Sequence, residues 1–232
     1  MKYMGSKNRI AKHILPIMLS ERKPNQWWVE PFVGGGNMID KVDGNRIGSD
    51  INRYAIEALI AIRDYVTDLP KNNKEFNESY YGNLRKNDNY KYKGFAGFAF
   101  SYGGKWLGGW RRSLNKYRDY VLESYKNALK QSPGLKTVTL VHCSYKDLKI
   151  PINSLVYCDP PYESTARYKH DFCHNEFWQW CRDKSKEGHT LFVSEYNAPD
   201  DFVCVWQKEI VSSLTKDTGS KRGLEKLFTL KY

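Results

Sequence analysis

Residues 27–36, WWVEPFVGGG, pass from an apolar run straight into three consecutive glycines, and the next apolar segment, NRIGSD at 45–50, ends on an acid about 15 residues after that turn. A strand that hands its chain to a glycine turn, followed by a second strand ending on Asp50, predicts the opening of a doubly wound α/β sheet. Asn52 can cap a helix over about 53–66, whose apolar positions Ile56, Leu59, Ile60 and Ile62 recur at helical spacing. Upstream, Ile10, Ile14, Ile17 and Met18 mark a short amphipathic helix at 9–19 despite Pro16.

Downstream, KTVTLVHCSY (136–145), INSLVYCD (152–159) and HTLFVSEYN (189–197) have the apolar, β-branched character of strands, and NEFWQWCRDKSKEG (175–188) reads as a helix. The segments 201–211 and 226–232 alternate in polarity and predict a closing antiparallel pair at the sheet edge. The expected fold class is α/β, a doubly wound Rossmann-like sheet with closing antiparallel strands and a small inserted subdomain. A chain of 232 residues is long enough for one such domain.

Periodicity fails between about Pro70 and Pro133. That stretch holds 14 of the 34 aromatic residues, and from Lys71 to Lys136 there are 14 Lys or Arg against 5 Asp or Glu. The expected division is therefore a sheet domain of 1–69 and 134–232, with 70–133 inserted as a region with a separate task. Within the insertion, SYGGKWLGGWRR at 101–112 interleaves paired glycines with Tyr102, Lys105, Trp106, Trp110, Arg111 and Arg112. Glycines admit a phosphate chain, cations neutralise it, and aromatic rings wedge or stack where a base has left the helix. Those six residues are the candidate DNA contacts, although some rings of so aromatic a segment must form its core.

The 37 Lys and Arg against 26 Asp and Glu give a net charge of +11, which points to a polyanionic partner. The five cysteines contain no Cys-x-x-Cys pair, so no disulfide framework or zinc ribbon is indicated, and a reducing, cytoplasmic compartment is expected. His170, Cys173, His174 and Cys181 crowd together at a spacing that fits no common zinc pattern, so no metal is expected. No apolar run is long enough to span a bilayer and no signal-peptide core is present, so no membrane association is expected. Nothing specifies an oligomer, and a monomer is favoured.

The carboxyl ends of the strands in such a sheet line its ligand crevice, so Gly34, Gly35 and Gly36 border a ligand, and Asp50 is placed to accept from a ribose diol. The turn is neither a G-x-G-x-x-G dinucleotide fingerprint nor a G-x-x-x-x-G-K-[ST] phosphate loop. After the apolar run 154–156 comes YCDPPY, 157–162. Pro160 and Pro161 each fix φ and remove an N–H, and the residue before each is held extended. Asp159 and the backbone carbonyls beside it thus form a stiff set of acceptors suited to the two N–H donors of a nucleobase amine, with Tyr162 as a stacking face.

Taken together, VEPFVGGG, YCDPPY and the N-terminal KYMGSKNRIAKHI resemble the S-adenosylmethionine-dependent DNA adenine-N6 methyltransferases of the Dam type, in the alpha motif order with the target-recognition region between the two motifs. The resemblance implies that Tyr3, Gly5 and Lys7 meet the methionine end of the S-adenosylmethionine cofactor. It places Glu30, Pro31, Phe32 and Gly34 in the donor loop, Asp50 on the ribose, and Tyr145 and Asp147 near the donor's adenine. Glu30 stands where many relatives carry Asp. Asp159, Pro160, Pro161 and Tyr162 would hold an adenine flipped out of double-stranded DNA, whose N6 attacks the sulfonium methyl in one in-line displacement. Cytosine-N4 or RNA purine-amine transfer, and a catalytically idle DNA-binding relative, are the alternatives.

Overall fold

The structure, a computed structural model, describes residues 1–112, 118–163, 172–211 and 222–231. Its described strands form one mixed sheet in the order β3-β2-β1-β4-β5-β7-β6. The strands are β1 (Trp28–Glu30), β2 (Arg46–Asp50), β3 (Val138–His142), β4 (Leu155–Cys158), β5 (Thr190–Glu195), β6 (Phe202–Val211) and β7 (Arg222–Leu230). The first five pair in parallel, and β7 runs antiparallel to both β5 and β6. This is the Rossmann-like α/β fold expected, with the closing antiparallel pair in place. Because β2 and β3 extend from β1 in one direction and β4 and β5 in the other, the strand order reverses between β1 and β4, and ligands bind at such a reversal.

The period of two along the strands sorts side chains onto two faces. Trp28, Leu155, Tyr157, Phe192 and Leu227 enter one core cluster, while their neighbours Val29, Val156, Cys158, Val193 and Phe228 enter the other. The first face is covered by α1 (Ala11–Ser20), α2 (Arg53–Asp64), α4 (Lys93–Ala99) and α5 (Tyr120–Leu135), and the second by α6 (His174–Lys186) through Phe177, Trp178 and Cys181. Pro16 lies inside α1, which runs through it. Asn52 caps α2 as expected, its side chain accepting from the Tyr54 N–H at 3.1 Å.

The 70–133 segment folds with the sheet. It supplies α3 (Glu78–Asn83), α4 and most of α5, and its Phe76, Phe95, Phe98, Phe100, Val121 and Ala128 share one core with Trp28 and Leu155. Its last helix escapes a search for apolar periodicity because its buried face is Val121, Ser124, Ala128, Gln131, Ser132 and Leu135, spaced as a helix but half polar. The polar members are satisfied. Ser124 donates to the Ala99 carbonyl at 3.0 Å, and the Gln131 amide donates to the carbonyls of Gly35 at 2.9 Å and Gly36 at 3.1 Å. Helix α5 therefore fastens the glycine turn. Gln131→Ala removes both bonds and the Oε1 acceptor of the Met1 ammonium, leaving the Gly35 carbonyl to that ammonium at 3.2 Å and the Gly36 carbonyl to the Asp40 N–H at 3.3 Å, and the expected loss of stability is about 1–3 kcal/mol, read as a lowered urea midpoint at unchanged m.

Candidate active site

The carboxyl ends of β1, β2 and β4 open into a cleft of about 2020 Å³. Its wall carries Tyr3, Gly5, Lys7, Glu30, Pro31, Phe32, Gly34, Asp50, Tyr145 and the whole of Asp159, Pro160, Pro161 and Tyr162. The topology thus gathers residues from the N-terminal segment, the glycine turn and the Asp-Pro-Pro-Tyr segment that are up to about 150 positions apart in sequence.

At the end of β4, Asp159 faces the buried ammonium of Lys7, with Nζ 3.0 Å from Oδ1. The same Nζ lies 3.6 Å from Glu225 of β7, 4.5 Å from the centroid of the Tyr162 ring, and donates to the Gly5 carbonyl at 3.3 Å. Tyr162 donates its hydroxyl to Glu225 Oε2 at 2.8 Å, and its ring meets Tyr196 edge-on at 4.6 Å. The Lys7 contact falls on Oδ1 of Asp159, whose side chain is 21% exposed. Burial pushes the Asp159 carboxyl up to about 6, against the opposing pull of Lys7, and Glu225 adds to the rise. The two acids hold the Lys7 ammonium charged, raising it despite its burial.

Around the turn, Asp50 accepts from the Gly34 N–H at 3.0 Å and the Asn52 N–H at 2.8 Å, one bond to each oxygen. Each oxygen keeps a lone pair for a further donor. Burial raises this carboxyl, and the two backbone bonds oppose the rise. Beside it Ile51, 50% exposed, offers apolar surface to the cleft. Glu30 is buried at the end of β1, accepts from the Trp28 indole N–H at 2.8 Å, and is pushed up to about 8 by desolvation. Tyr145 reaches the cleft while packing on Phe32 and Trp180.

Lys7, expected at the methionine end of the donor, lines the cleft and pairs there with Asp159 and Glu225. Asp147 is exposed and does not line the cleft. Trp106 stacks on Tyr54 at 4.1 Å and lines the cleft, and Trp110 packs against Tyr81 and Phe100; both rings are half-buried. Arg111 lies over the Tyr120 ring at 3.7 Å, and the exposed Arg112 is paired with Glu78. Tyr102 and Lys105 are exposed, and Tyr102 borders the cleft. His170 lies outside the described residues, and among those described no group of three or more His, Cys, Asp or Glu is placed to hold a metal. No described helix is long and apolar enough to cross a membrane.

The sequence gives no reason to expect Glu225 or Ile51 in the cleft, and the S-E-Y-N segment at 194–197, readable as completing a base pocket, singles out neither Glu195 nor Tyr196. Glu195 is buried at the end of β5 and accepts from the Glu163 N–H at 2.8 Å and from the Tyr196 N–H, tying the chain after Tyr162 to the sheet. The S-E-Y-N sequence after an apolar strand was the one available signal for this acid. Glu225 carried none, since it sits in the alternating run of an edge pair.

Residues 3–98 match the family model of the D12 class N6 adenine-specific DNA methyltransferases. The match takes in Lys7, the glycine turn and Asp50 and ends before Asp159. No curated protein matches the chain. Among solved structures, that of SMU.472, described as a provisional methyltransferase complexed with SAH, is similar at 13% identity and a TM-score of 0.37, over 97% of this chain and 52% of its own. The chain thus spans about half the length of that protein.

The buried Glu30 has a consequence for stability. Its ordinary value is near 4.5 and its folded value about 8, so between these the folded protein binds one more proton than the unfolded chain. The stability it contributes is present below 4.5 and is lost as pH rises through about 8. The melting temperature is expected to fall as pH rises toward 8, and Glu30→Gln is expected to flatten that slope.

Proposed function

We propose that this chain transfers a methyl group from S-adenosylmethionine to the N6 amine of an adenine extruded from duplex DNA. The observation that carries the reading is the Lys7 amine on Asp159 Oδ1 at 3.0 Å and above the Tyr162 ring, since the same acceptor and the same aromatic face suit a nucleobase amine. The D12 class match over 3–98 supports adenine N6 and DNA, and the net charge of +11 supports a polyanionic partner.

The residues present fit the donor. Asp50, braced by two backbone N–H groups, can accept from a ribose hydroxyl, Ile51 and Phe32 can cover an apolar ring, and Glu30 can face the methionine ammonium. When bound, S-adenosylmethionine supplies an electrophilic methyl on a positively charged sulfur.

The chain's own groups do the rest. Asp159 Oδ2 and the Pro160 carbonyl accept the two hydrogens of the base amine, which draws its nitrogen toward a pyramidal shape and frees the lone pair. Pro160 and Pro161 keep those acceptors from reorganising. Tyr162 stacks on the base, held in orientation by its bond to Glu225. Positive charge growing on the amine nitrogen is offset by the Asp159 carboxylate, and after the nitrogen–carbon bond has formed that nitrogen gives up its extra proton, which the carboxylate accepts and passes to solvent. Alignment of the two reactants supplies much of the acceleration.

Incubation of duplex DNA with labelled S-adenosylmethionine, followed by nucleoside analysis, is expected to give N6-methyladenine. Label in N4-methylcytosine, label only with RNA, or tight DNA retention without transfer would each overturn this reading. Asp159→Ala is expected to abolish transfer while leaving S-adenosylhomocysteine affinity largely intact in calorimetry. Glu225→Ala frees the Tyr162 ring and is expected to lower kcat about tenfold, equivalent to about 1.4 kcal/mol, with donor affinity little changed.

A further inference from the structure

Tyr3 is held from two sides. On one, its ring lies on the glycine turn, where a Cβ at Gly34 would come within 2.8 Å of Tyr3 Cε1 and one at Gly35 within 2.7 Å of Tyr3 Cβ. On the other, the turn Tyr102–Gly104 presses against its backbone. Gly104 is buried at φ +70°, and a Cβ there would stand 2.9 Å from both Tyr3 Cα and Tyr3 N and 3.0 Å from Tyr3 C. The Met4 N–H donates to the Gly104 carbonyl at 3.1 Å, and the Phe98 ring of α4 meets the Tyr3 ring at 5.0 Å. Gly104 itself does not line the cleft, although its neighbours Tyr102 and Gly103 do.

The turn is also fixed to the rest of its loop. Ser101 and Trp110 form an isolated antiparallel bridge, the Tyr102 N–H donates to the Gly109 carbonyl at 2.8 Å, and the Gly108 N–H donates to Ser101 Oγ at 2.9 Å. The loop hangs on α4 through the Leu107 N–H to the Gly97 carbonyl at 3.1 Å. A rigid closed loop therefore bears directly on the backbone of the segment that carries Tyr3, Gly5 and Lys7.

We propose that Gly104 is a positioning residue for the methyl donor: the 101–110 loop seats Tyr3 on the glycine turn through a backbone contact that only glycine permits, and so links the insertion to the donor side of the cleft. This rests on the reading of the cleft as an S-adenosylmethionine site. A side chain at Gly104 would have to push back backbone atoms, which cannot swing aside as a flexible side chain can, and would also be strained at that φ. Because equilibrium coupling is reciprocal, a ligand that orders the loop from its outer side tightens donor binding by the factor with which the donor tightens that ligand.

Gly109 provides the control. It lies in the same loop at φ +112°, and a Cβ there would meet nothing within 4 Å. Gly104→Ala and Gly109→Ala therefore both strain the loop, and only the first intrudes on Tyr3. In calorimetric titrations with S-adenosylhomocysteine, Gly104→Ala is expected to weaken binding about tenfold or more and to lower the melting temperature, and Gly109→Ala to bind as the wild type does. Equal losses in the two variants, or wild-type affinity in Gly104→Ala, would overturn the proposal. Should Gly104→Ala not fold, hydrogen exchange on the wild type decides. Added S-adenosylhomocysteine is expected to slow exchange at the Met4 amide and across 101–110, and unchanged exchange there would overturn the seam. Wild-type protein that binds no S-adenosylhomocysteine overturns the donor reading itself, whereas normal wild-type binding beside an unaffected variant overturns the seam alone.

Discussion

One buried ammonium ties three distant parts of this chain together. Lys7 comes from the N-terminal segment, Asp159 from the end of β4 and Glu225 from the closing strand β7, and the three meet beneath the Tyr162 ring. Taking such charges out of water is costly, and the cost is met only where partners are close and well oriented. Two carboxylates on one ammonium, with a carbonyl and an aromatic face completing its surroundings, meet that condition. Remove the cation and two like charges remain side by side, which raises the Asp159 carboxyl further. The antiparallel placement of β7 beside β5 therefore has a chemical meaning: it delivers Glu225 to the crevice formed by the parallel strands.

The sheet was largely legible in the sequence because its signals are local. Trp27 to Gly36 announces a strand and a turn, Asn52 a cap, and the alternation after Phe202 an edge pair. What escaped depends on partners distant in sequence. The face of α5 buries serine and glutamine, residues that become core only because the glycine turn and α4 present carbonyls to them. Nothing in the chain near Glu225 reveals that Lys7 and Tyr162 will lie opposite. In the aromatic segment 101–112, Trp106 and Trp110 pack against Tyr54, Tyr81 and Phe100 yet stay half-buried, a division between packing and open surface that residue types alone do not reveal.

The site itself divides in the same way. The stiffness of Asp-Pro-Pro-Tyr and the acid at the end of β2 follow from residue types at given positions, and both stand in the cleft. The electrostatic tuning does not follow from residue types. Asp159 and Glu30 are displaced upward chiefly by burial, and the extent of burial is set by packing between helices and strands far apart in the chain. The insertion contributes to this packing as well as to the rim of the cleft, since its helices close one face of the sheet and its loop abuts the N-terminal segment.

The most direct test of the Lys7–Asp159 arrangement is a ¹³C NMR titration of the Asp159 carboxyl in the wild-type protein and in Lys7→Met. A wild-type titration near about 6, moving upward when the ammonium is removed, is the predicted result. An Asp159 that titrates near 3.8, the ordinary value, or that is indifferent to the loss of Lys7, would contradict the account.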